Sequence, residues 1–503
     1  MFVLIIFSTV LSIIYASVED PASFVNLLAG TFTDGNSFST GNTLPLIGYP
    51  WGFNHWSPQT RENSRMVGSW WFRGSEHRFT WLRCAHQPSP WIGDWAWFVF
   101  GPQLGGNKNE PNRNPTFFWE PRAATIKPYL FDATLAPNNI RLELTPSMHG
   151  AMLRVTFPHH NDLKRVCFTG QGSSWGDHGM SDNKKYSSSN EKISKPSGKP
   201  YIKGKADQVH IKRLIVANFN MYVRIESDDA IDVTNHRDIA CMIFDNKATT
   251  VTVYMATSLI SETQAIINMN RELRYVNENH DDPNSNSNQS IGSGHDYSNK
   301  QYEIVKNHAH NTWNNMLSRV NVIDPGPITG SHTKQLSIFY SNLARALYFP
   351  RRLDEVDING KIIHYSPYSP KGGIYNGPGV TDNGFWDTFR TVYPMLSLLY
   401  PDHLGEIIQG WLNAYQEGGW LPSWASPGYR NCMVGTFADV VIADAIMKDI
   451  KGFNIPLAID ALRKDSFTSP PPFAGNAIGK DGLEEYINRG YISQSGDMGK
   501  EVV

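Results

Sequence analysis

The chain has 503 residues, which exceeds the size of one ordinary domain and predicts at least two. Its formal net charge is −2, and 40% of its residues are hydrophobic, enough for a sizeable core. This balance excludes the basic surface that marks proteins binding nucleic acid or an anionic membrane.

The first segment, residues 1–16, is an apolar stretch that ends in Ala16 and is followed by Glu19 and Asp20. It is too short to span a bilayer comfortably, and its small last residue suits cleavage. We therefore expect residues 1–16 to be a signal peptide. Because no later segment is apolar for long enough to cross a membrane, we expect the mature protein to have no membrane span. It should be secreted or reside in the lumen of the secretory pathway or lysosome.

Cysteine spacing and a glycosylation sequon fit that location. Cys84, Cys167, Cys241 and Cys432 lie far apart without a CxxC pair, so a zinc site is not expected. One or two disulfides are possible in an oxidising compartment, and spacing alone leaves their pairing open. Asn288 begins the sequon Asn-Gln-Ser within a polar stretch, where a glycan can be accommodated.

Residues 17–258 have the pattern of a β-rich domain. Short apolar runs such as 140–144, 152–157 and 250–255 are separated by Gly, Pro, Asn and Asp, with no convincing helical period between them. So many strands predict an N-terminal β-sandwich. Within it, residues 187–205 are rich in Ser and Lys and are interpreted as a mobile insertion.

After residue 258 the period becomes helical. Residues 259–324 are interpreted as a helical linker region with a polar loop at 277–300, which is full of Asn, Ser, Asp and Gly. Residues 325–503 contain two apolar stripes at helical spacing, which predict buried helix faces. The stripes are Leu336, Phe339, Tyr340, Leu343 and Leu347, then Phe437, Val440, Ala443, Met447 and Ile450.

Two N-terminal segments, 39–61 and 86–94, crowd Gly, Pro, Trp and polar side chains where a core strand would alternate aliphatic residues. Loops fixed by proline can hold an aromatic ring at a chosen angle to a ligand. Trp91 and Asp94 are the binding candidates. The alternative is a corner of the sandwich that packs against the helical domain.

A third segment, 377–390, contains Asp382, Trp386, Asp387 and Arg390. Asp387 and Arg390 are three residues apart and can share one face of a helix. A carboxylate and a guanidinium beside a Trp ring make a plausible clamp for a sugar. The alternative is a carboxylate at a helix N-terminus that pairs with Arg390 for structural reasons.

A fourth segment, 418–433, places Trp424, Tyr429 and Arg430 in another connection that ends at a helix. Loops at one end of a helical barrel converge on a common pocket. The composition shared by the two connections favours a carbohydrate site.

Together these segments resemble glycoside hydrolase family 92, the α-mannosidases. The resemblance is carried by "FSTGNTLPLIGYPWGFNHWSPQTR", "HQPSPWIGDWAWFVF", "NGFWDTFRTVYPMLSLLYP" and "GGWLPSWASPGYRNCMVGTFADVVIADAIMKDIKGF". It implies an N-terminal β-sandwich packed on an (α/α)6 barrel. It also implies inverting, calcium-dependent removal of terminal mannose from α-linked mannans and N-glycans, so that the partners are mannose-containing glycans or glycoproteins.

Inverting hydrolysis needs an acid and a base carboxylate roughly 6.5–9.5 Å apart. In the family these lie toward the C-terminal end of the barrel, which corresponds to positions beyond Val503. A barrel of twelve helices also needs far more than the roughly 180 residues after Pro325. We therefore expect an incomplete barrel, an inactive chain and calcium ligands that are largely missing from it.

Two other hypotheses stay open at this point. One is another glycosidase built from a β-sandwich and an (α/α)6 barrel, trehalase-like or glucoamylase-like. The other is a catalytically dead carbohydrate-binding protein. If both domains form one pocket, the segments 40–61 and 86–94 should face those containing Trp386 and Tyr429, with Trp91 or Asp94 in contact with residues 382–390.

Overall fold

The computed structural model describes residues 16–32, 43–60, 71–89, 92–159, 161–170, 201–206, 219–236, 239–274, 294–324, 330–471 and 477–493. The expected signal peptide up to residue 15, the sequon at Asn288 and the candidate Trp91 lie outside these residues. Within them, no helix is both long enough and apolar enough to span a bilayer.

The first half of the chain is built from strands. In the described residues up to 258 the strands are β1 Ala16–Ser17, β2 His55–Gln59, β3 Arg78–Phe79, β4 Trp81–Ala85, β5 Phe98–Leu104, β6 Phe117–Phe118, β7 Thr125–Lys127, β8 Leu130–Leu135, β9 Ile140–Pro146, β10 Gly150–Thr156, β11 Lys164–Thr169, β12 Tyr201–Ala206, β13 Met221–Glu226, β14 Ala230–His236, β15 Ile239–Phe244 and β16 Thr250–Ser258. A 3₁₀ turn spans Pro21–Phe24.

Two antiparallel sheets contain most of these strands. One has the order β12-β13-β16-β10-β9-β8-β7, and the other has the order β14-β15-β11-β5-β4-β2. Leu153 is paired with Leu144 on one side and with Val253 on the other, and all three are buried. They belong to the same hydrophobic core as Phe100 and Phe168 of the second sheet. The main core is thus shared by both sheets.

The predicted insertion at 187–205 is wrong for its last residues. Tyr201–Ala206 forms β12, the edge strand that pairs with β13 in continuous antiparallel register. Ile202 is 5% exposed, so this end of the segment contributes to the core. The Ser- and Lys-rich composition concealed a short strand.

One disulfide links the two cysteines that face each other on β11 and β15. Cys167 and Cys241 are directly paired in the sheet register, and both are fully buried. Cys84 and Cys432 are free thiols.

Beyond Ser258 helices predominate, which confirms the predicted order of a β-rich domain followed by a helical one. The helices of the described residues are α1 Glu262–Met269, which continues as a π turn over Asn270–Arg274, α2 His295–Leu317, α3 Ser331–Ala346, α4 Phe385–Thr388, α5 Val392–Leu399, α6 Pro401–Gly418, α7 Phe437–Met447, α8 Ile455–Phe467 and α9 Leu483–Arg489. The short strands among them are β17 Ile323–Asp324, β18 Arg351–Arg352, β19 Asp354–Val356, β20 Ile362–Tyr365, β21 Ile374–Asn376, β22 Val380–Thr381, β23 Asn383–Gly384 and β24 Trp424–Ala425.

The structure differs from the prediction in two places. The polar loop predicted at 277–300 overlaps α2, whose first turn begins at His295. The region after 325 also contains a three-stranded sheet, β19-β20-β21, between α3 and α4. The strands of this sheet have three or four residues each, too few for an alternation of apolar and polar residues to be recognised within the surrounding helical pattern.

The apolar stripe predicted for α7 exists, but much of it faces outward. Val440 is 45% exposed and Met447 is 85% exposed. The side chains that α7 buries are Phe437, Ala438, Val441, Ile442 and Ala445. Because α7 is apolar on almost every side, hydrophobic spacing alone does not select the face that meets the core.

We expect this outward face to cause self-association. Leu398 on α5 is 79% exposed. Lys448 Nζ, in the residue after Met447, donates to Ser397 Oγ (3.1 Å), in the residue before Leu398, so the two exposed side chains lie in adjoining parts of the surface. Exposed apolar patches of this kind mark association sites. In sedimentation velocity, Leu398→Gln with Met447→Gln should reduce oligomers relative to wild type. Ile358→Gln, which removes a similarly exposed apolar side chain elsewhere on the surface, should leave the amount of oligomer unchanged. An equal reduction of oligomers by both variants would contradict the assignment.

A buried ion pair fastens the β-rich domain to the helices. His149 Nδ1, in the β9–β10 turn, is 2.5 Å from Glu272 Oε1, and His149 Nε2 donates to Asp354 O (2.8 Å). Burial alone would lower the pKa of His149. The charge of Glu272 and its hydrogen bond, with the charge of Glu355, outweigh burial and raise that pKa to about 9.

We expect the stabilisation by His149 to depend on pH. A pKa raised above 6.5 means that the contribution is complete below pH 6.5 and is lost as pH rises through 9. The stability difference between wild type and His149→Gln should therefore shrink by about 3 kcal/mol across that window, at about 1.4 kcal/mol per pKa unit. Urea unfolding at several pH values measures it. A stability difference between wild type and His149→Gln that stays constant across that window would contradict the prediction.

Candidate functional site

Arg351 on β18 is the centre of the contact between the two halves of the chain. Its side chain is fully buried, and Nε donates to Asp382 Oδ2 (2.8 Å). Nη1 donates to Phe53 O (2.9 Å), and Nη2 donates to His55 Nδ1 (3.1 Å). Burial first, and then the charge of Arg351, lower the pKa of His55 well below its usual range, so this ring accepts as the neutral form. Arg351 thus joins the 53–55 segment to the Asp382 segment.

Asp382 is held between both domains. Its backbone is left-handed, with φ +56°, and its Oδ1 accepts from Trp95 Nε1 at 3.1 Å. Burial raises the pKa of Asp382, while Arg351, Ser426 and Trp95 act in the opposite direction. Since both carboxylate oxygens already have protein donors, the predicted role of Asp382 as a direct sugar contact is not supported. Its contacts assign it to holding the segment in place.

Asp94 is likewise committed to protein contacts. It is 3% exposed, Oδ2 accepts from Arg83 Nε at 2.9 Å, and Oδ1 accepts from His86 N at 2.7 Å. Both carboxylate oxygens of Asp94 thus have protein donors, and its contact with sugar stays a prediction. The ring of His86 lies 4.4 Å from the ring of Trp95, so Asp94 orients the loop that carries Trp95.

The helix-start motif places Trp386, Asp387 and Arg390 at the surface. Asp387 and Arg390 are exposed, and Trp386 is half-buried. In this described segment Asp387 and Arg390 form no ion pair, so the structural pairing given as the alternative is not present. The clamp on sugar hydroxyls stays a prediction. Helix α4 has only four residues, and the Arg390 guanidinium folds back to donate to Trp386 O and to cover the Trp386 ring at 4.7 Å.

Asp387 instead faces the β24 segment across a glycine. Gly384 on β23 pairs with Trp424 on β24. A Cβ at Gly384 would collide with Trp424 Nε1 and come within 2.9 Å of Asp387 Oδ2. The absence of a side chain at this position therefore lets the indole N–H and the carboxylate approach each other. Burial raises the pKa of Asp387, and the charge of Arg390 opposes that change.

Two buried donors on β24 and in the loop after it, of which the first lies near Asp387, have no hydrogen-bond acceptor in the described chain. They are Trp424 Nε1 and Arg430 Nη1. Arg430 is 7% exposed, and it interacts electrostatically with Cys432 and Asp382. Because an unsatisfied buried donor is costly, a ligand hydroxyl is a natural partner for each of them. One acceptor and two donors suit a molecule with neighbouring hydroxyl groups.

Tyr429, also predicted to contact substrate, lies in the interior. It is 5% exposed, and its OH bonds Trp420 O at 2.6 Å and Ala414 O at 3.1 Å. Its ring packs edge-on against Tyr368. In this structure Tyr429 shapes the loop that carries Arg430, and its contact with substrate stays a prediction.

Sequence reasoning missed Trp95 and Arg351. The contact with the Asp382 segment that was expected from Trp91 or Asp94 is made by Trp95, the next residue in the chain. Its signal is the first Trp of "GDWAWF". Arg351 lies in "FPRRLDE", which has the appearance of an exposed charged run.

Across the described ranges, no group of three or more His, Cys, Asp or Glu side chains is arranged to hold a metal ion. The residues described here do not fit a calcium site, and no chemical step is assigned to one.

Comparison with protein families decides the assignment. The model of the glycosyl hydrolase family 92 N-terminal domain matches residues 24–269, and that of the family 92 catalytic domain matches residues 287–503. The chain belongs to glycoside hydrolase family 92. The resemblance noted from its motifs is thereby confirmed. No curated protein matches the chain.

Solved structures of family 92 share this fold. An inverting mannosidase of the family from Bacteroides thetaiotaomicron superposes with a TM-score of 0.75 at 30% identity, covering 95% of this chain and 59% of its own. A family 92 α-mannosidase from the same organism gives 0.66 at 19% identity, covering 93% and 59%. A further family 92 glycosyl hydrolase gives 0.63 at 16% identity, covering 94% and 58%. The chain thus spans under two thirds of the length of these relatives.

Proposed function

We propose that this family 92 protein acts on terminal α-linked mannose of glycans or glycoproteins, removing it by inverting hydrolysis with calcium. The observation that carries the proposal is that Trp424 Nε1, close to Asp387, and Arg430 Nη1 are buried donors with no acceptor among the described residues. Trp386 beside them offers a ring for the apolar face of a sugar. The mannosidase at 30% identity supports mannose as the sugar.

In this proposal the chain's own residues bind and orient the substrate. The Asp387 carboxylate accepts from one sugar hydroxyl, and Trp424 and Arg430 donate to others. Arg351, Asp382 and Trp95 keep the two domains in register around them.

We further propose that the two sheets form a β-sandwich and that the helices belong to an (α/α)6 barrel. The core that both sheets share supports the first assignment. Secretion is proposed from the N-terminal apolar stretch, and the buried Cys167–Cys241 disulfide supports an oxidising compartment.

The test is calorimetric titration of the purified protein with methyl α-mannoside and methyl α-glucoside, followed by NMR of any product from an aryl α-mannoside. Selective mannose binding and a first product of β configuration support the proposal. A preference for glucosides would favour the trehalase-like or glucoamylase-like alternative. Mannose binding with no turnover, with or without calcium, would agree both with the inactive chain expected from the sequence and with a carbohydrate-binding protein, and would contradict hydrolysis by these residues.

A further inference from the structure

A second cluster of ionisable side chains lies outside the candidate sugar site, where α7 and α8 meet. Asp439 is in the first turn of α7, and Asp465 is near the end of α8. Lys480 Nζ lies 3.1 Å from Asp439 Oδ2, and both side chains are largely buried. Asp465 is 1% exposed. Two acidic groups therefore share one nearby lysine in an interior position.

The hydrogen bonds of this cluster are incomplete when both acids are ionised. Thr436 Oγ1 donates to Asp439 Oδ2 at 3.0 Å. Asp439 Oδ1 and both carboxyl oxygens of Asp465 are buried and have no donor in the described chain. Helices α7 and α8 pack against each other, and the charge of Asp439 acts on Asp465, so the two carboxyl groups are neighbours. A proton on one of them would turn an unfavourable pair of acceptors into a donor and an acceptor.

We propose that Asp439 and Asp465 share a single proton, and that this one-proton site anchors the Lys480 segment behind the Trp424 strand. The connection is direct, because Ser423 N donates to Ala477 O at 3.2 Å and Pro422 forms a β-bridge with Ile478. The residues that precede Trp424 thus rest on the segment that Lys480 fastens to Asp439.

The surrounding groups are consistent with one retained proton. Burial is the largest cause that raises the pKa of both carboxyl groups; Lys480 opposes it, and the charge of Asp439 raises the pKa of Asp465 further. Lys464, on the same helix as Asp465, also opposes the rise. Tyr415 and Tyr429 face Asp465 from other elements and, with pKa values raised by burial, stay neutral.

The sign of the pH effect follows from the retained proton. Above its ordinary pKa of 3.8 the unfolded carboxyl has lost its proton while the folded pair keeps it, so stability falls as pH rises toward the folded pKa. In Asp465→Asn an amide N–H replaces the shared proton, and this dependence disappears. The folding equilibrium constant of wild type should then fall relative to Asp465→Asn by up to about tenfold per pH unit.

The experiment is urea unfolding of wild type, Asp465→Asn and Asp439→Asn between pH 5 and 8, with infrared spectra of the folded proteins. We expect a protonated-carboxyl band in wild type at neutral pH that both variants lack. Asp460→Asn, at an exposed position of the same helix, should keep the band and the wild-type slope. The measurement does not depend on mannose binding.

Three results would overturn the shared proton. The first is a wild-type spectrum without the protonated-carboxyl band. The second is a stability profile of Asp465→Asn that runs parallel to wild type. The third is stabilisation of wild type, and not of Asp465→Asn, by added calcium or magnesium, which would assign the orphan oxygens to a cation.

Discussion

Replacing Arg351 with Met should lower the free energy of unfolding by about 3–5 kcal/mol, because it removes one partner of a buried ion pair. The variant leaves the Asp382 carboxylate buried beside Trp95 without its compensating charge. It also leaves Phe53 O and His55 Nδ1 without their donor. Urea unfolding measures the loss, and the double variant Arg351→Met with Asp382→Asn should recover part of it.

The control for this prediction is an Arg–Asp pair at the surface. Arg141 donates to both carboxylate oxygens of Asp132 at 2.9 and 2.7 Å, but its side chain is 50% exposed. Arg141→Met should cost no more than about 1 kcal/mol, as surface pairs do. A similar cost for Arg351→Met and Arg141→Met would show that the contact between the domains does not depend on the buried pair.

Replacing Asp387 with Asn should weaken binding of methyl α-mannoside by roughly 10- to 100-fold, the range expected for one hydrogen bond to a charged group. The melting temperature should stay close to wild type, because Asp387 is exposed and forms no ion pair with Arg390. Calorimetric titration and thermal unfolding of the same samples separate the two effects.

Asp402→Asn is the matched control, since Asp402 is also an exposed acidic residue in the first turn of a helix. It should change neither affinity nor melting temperature appreciably. Equal losses of affinity and stability in Asp387→Asn would instead assign that carboxylate to a structural role.

The strands and the order of the domains were predictable because turn residues interrupt short apolar runs, and because the motifs around Trp386 and Trp424 are specific. The direction of a side chain within a tight loop was not. Asp94 and Trp95 are adjacent, yet Asp94 turns inward to Arg83 while Trp95 reaches Asp382. Sequence alone gives no means of choosing between them.

In the candidate site, too, the sequence did not predict what the side chains near the helices contact. Spacing placed Asp387 and Arg390 on one face of a helix, but α4 ends at Thr388, before that face extends to Arg390. The aromatic ring and hydroxyl of Tyr429 were assigned to a ligand, while the fold uses both internally. What a polar or aromatic side chain contacts depends on loop closure, which brings together residues far apart in the chain.

The Cys167–Cys241 bridge has a consequence for how the protein withstands proteolysis. The bridge closes a loop of 74 residues between two neighbouring strands of one sheet. A single cut anywhere between these cysteines leaves the two fragments covalently joined. The nicked protein would therefore migrate as one species without reductant and separate into two only after reduction.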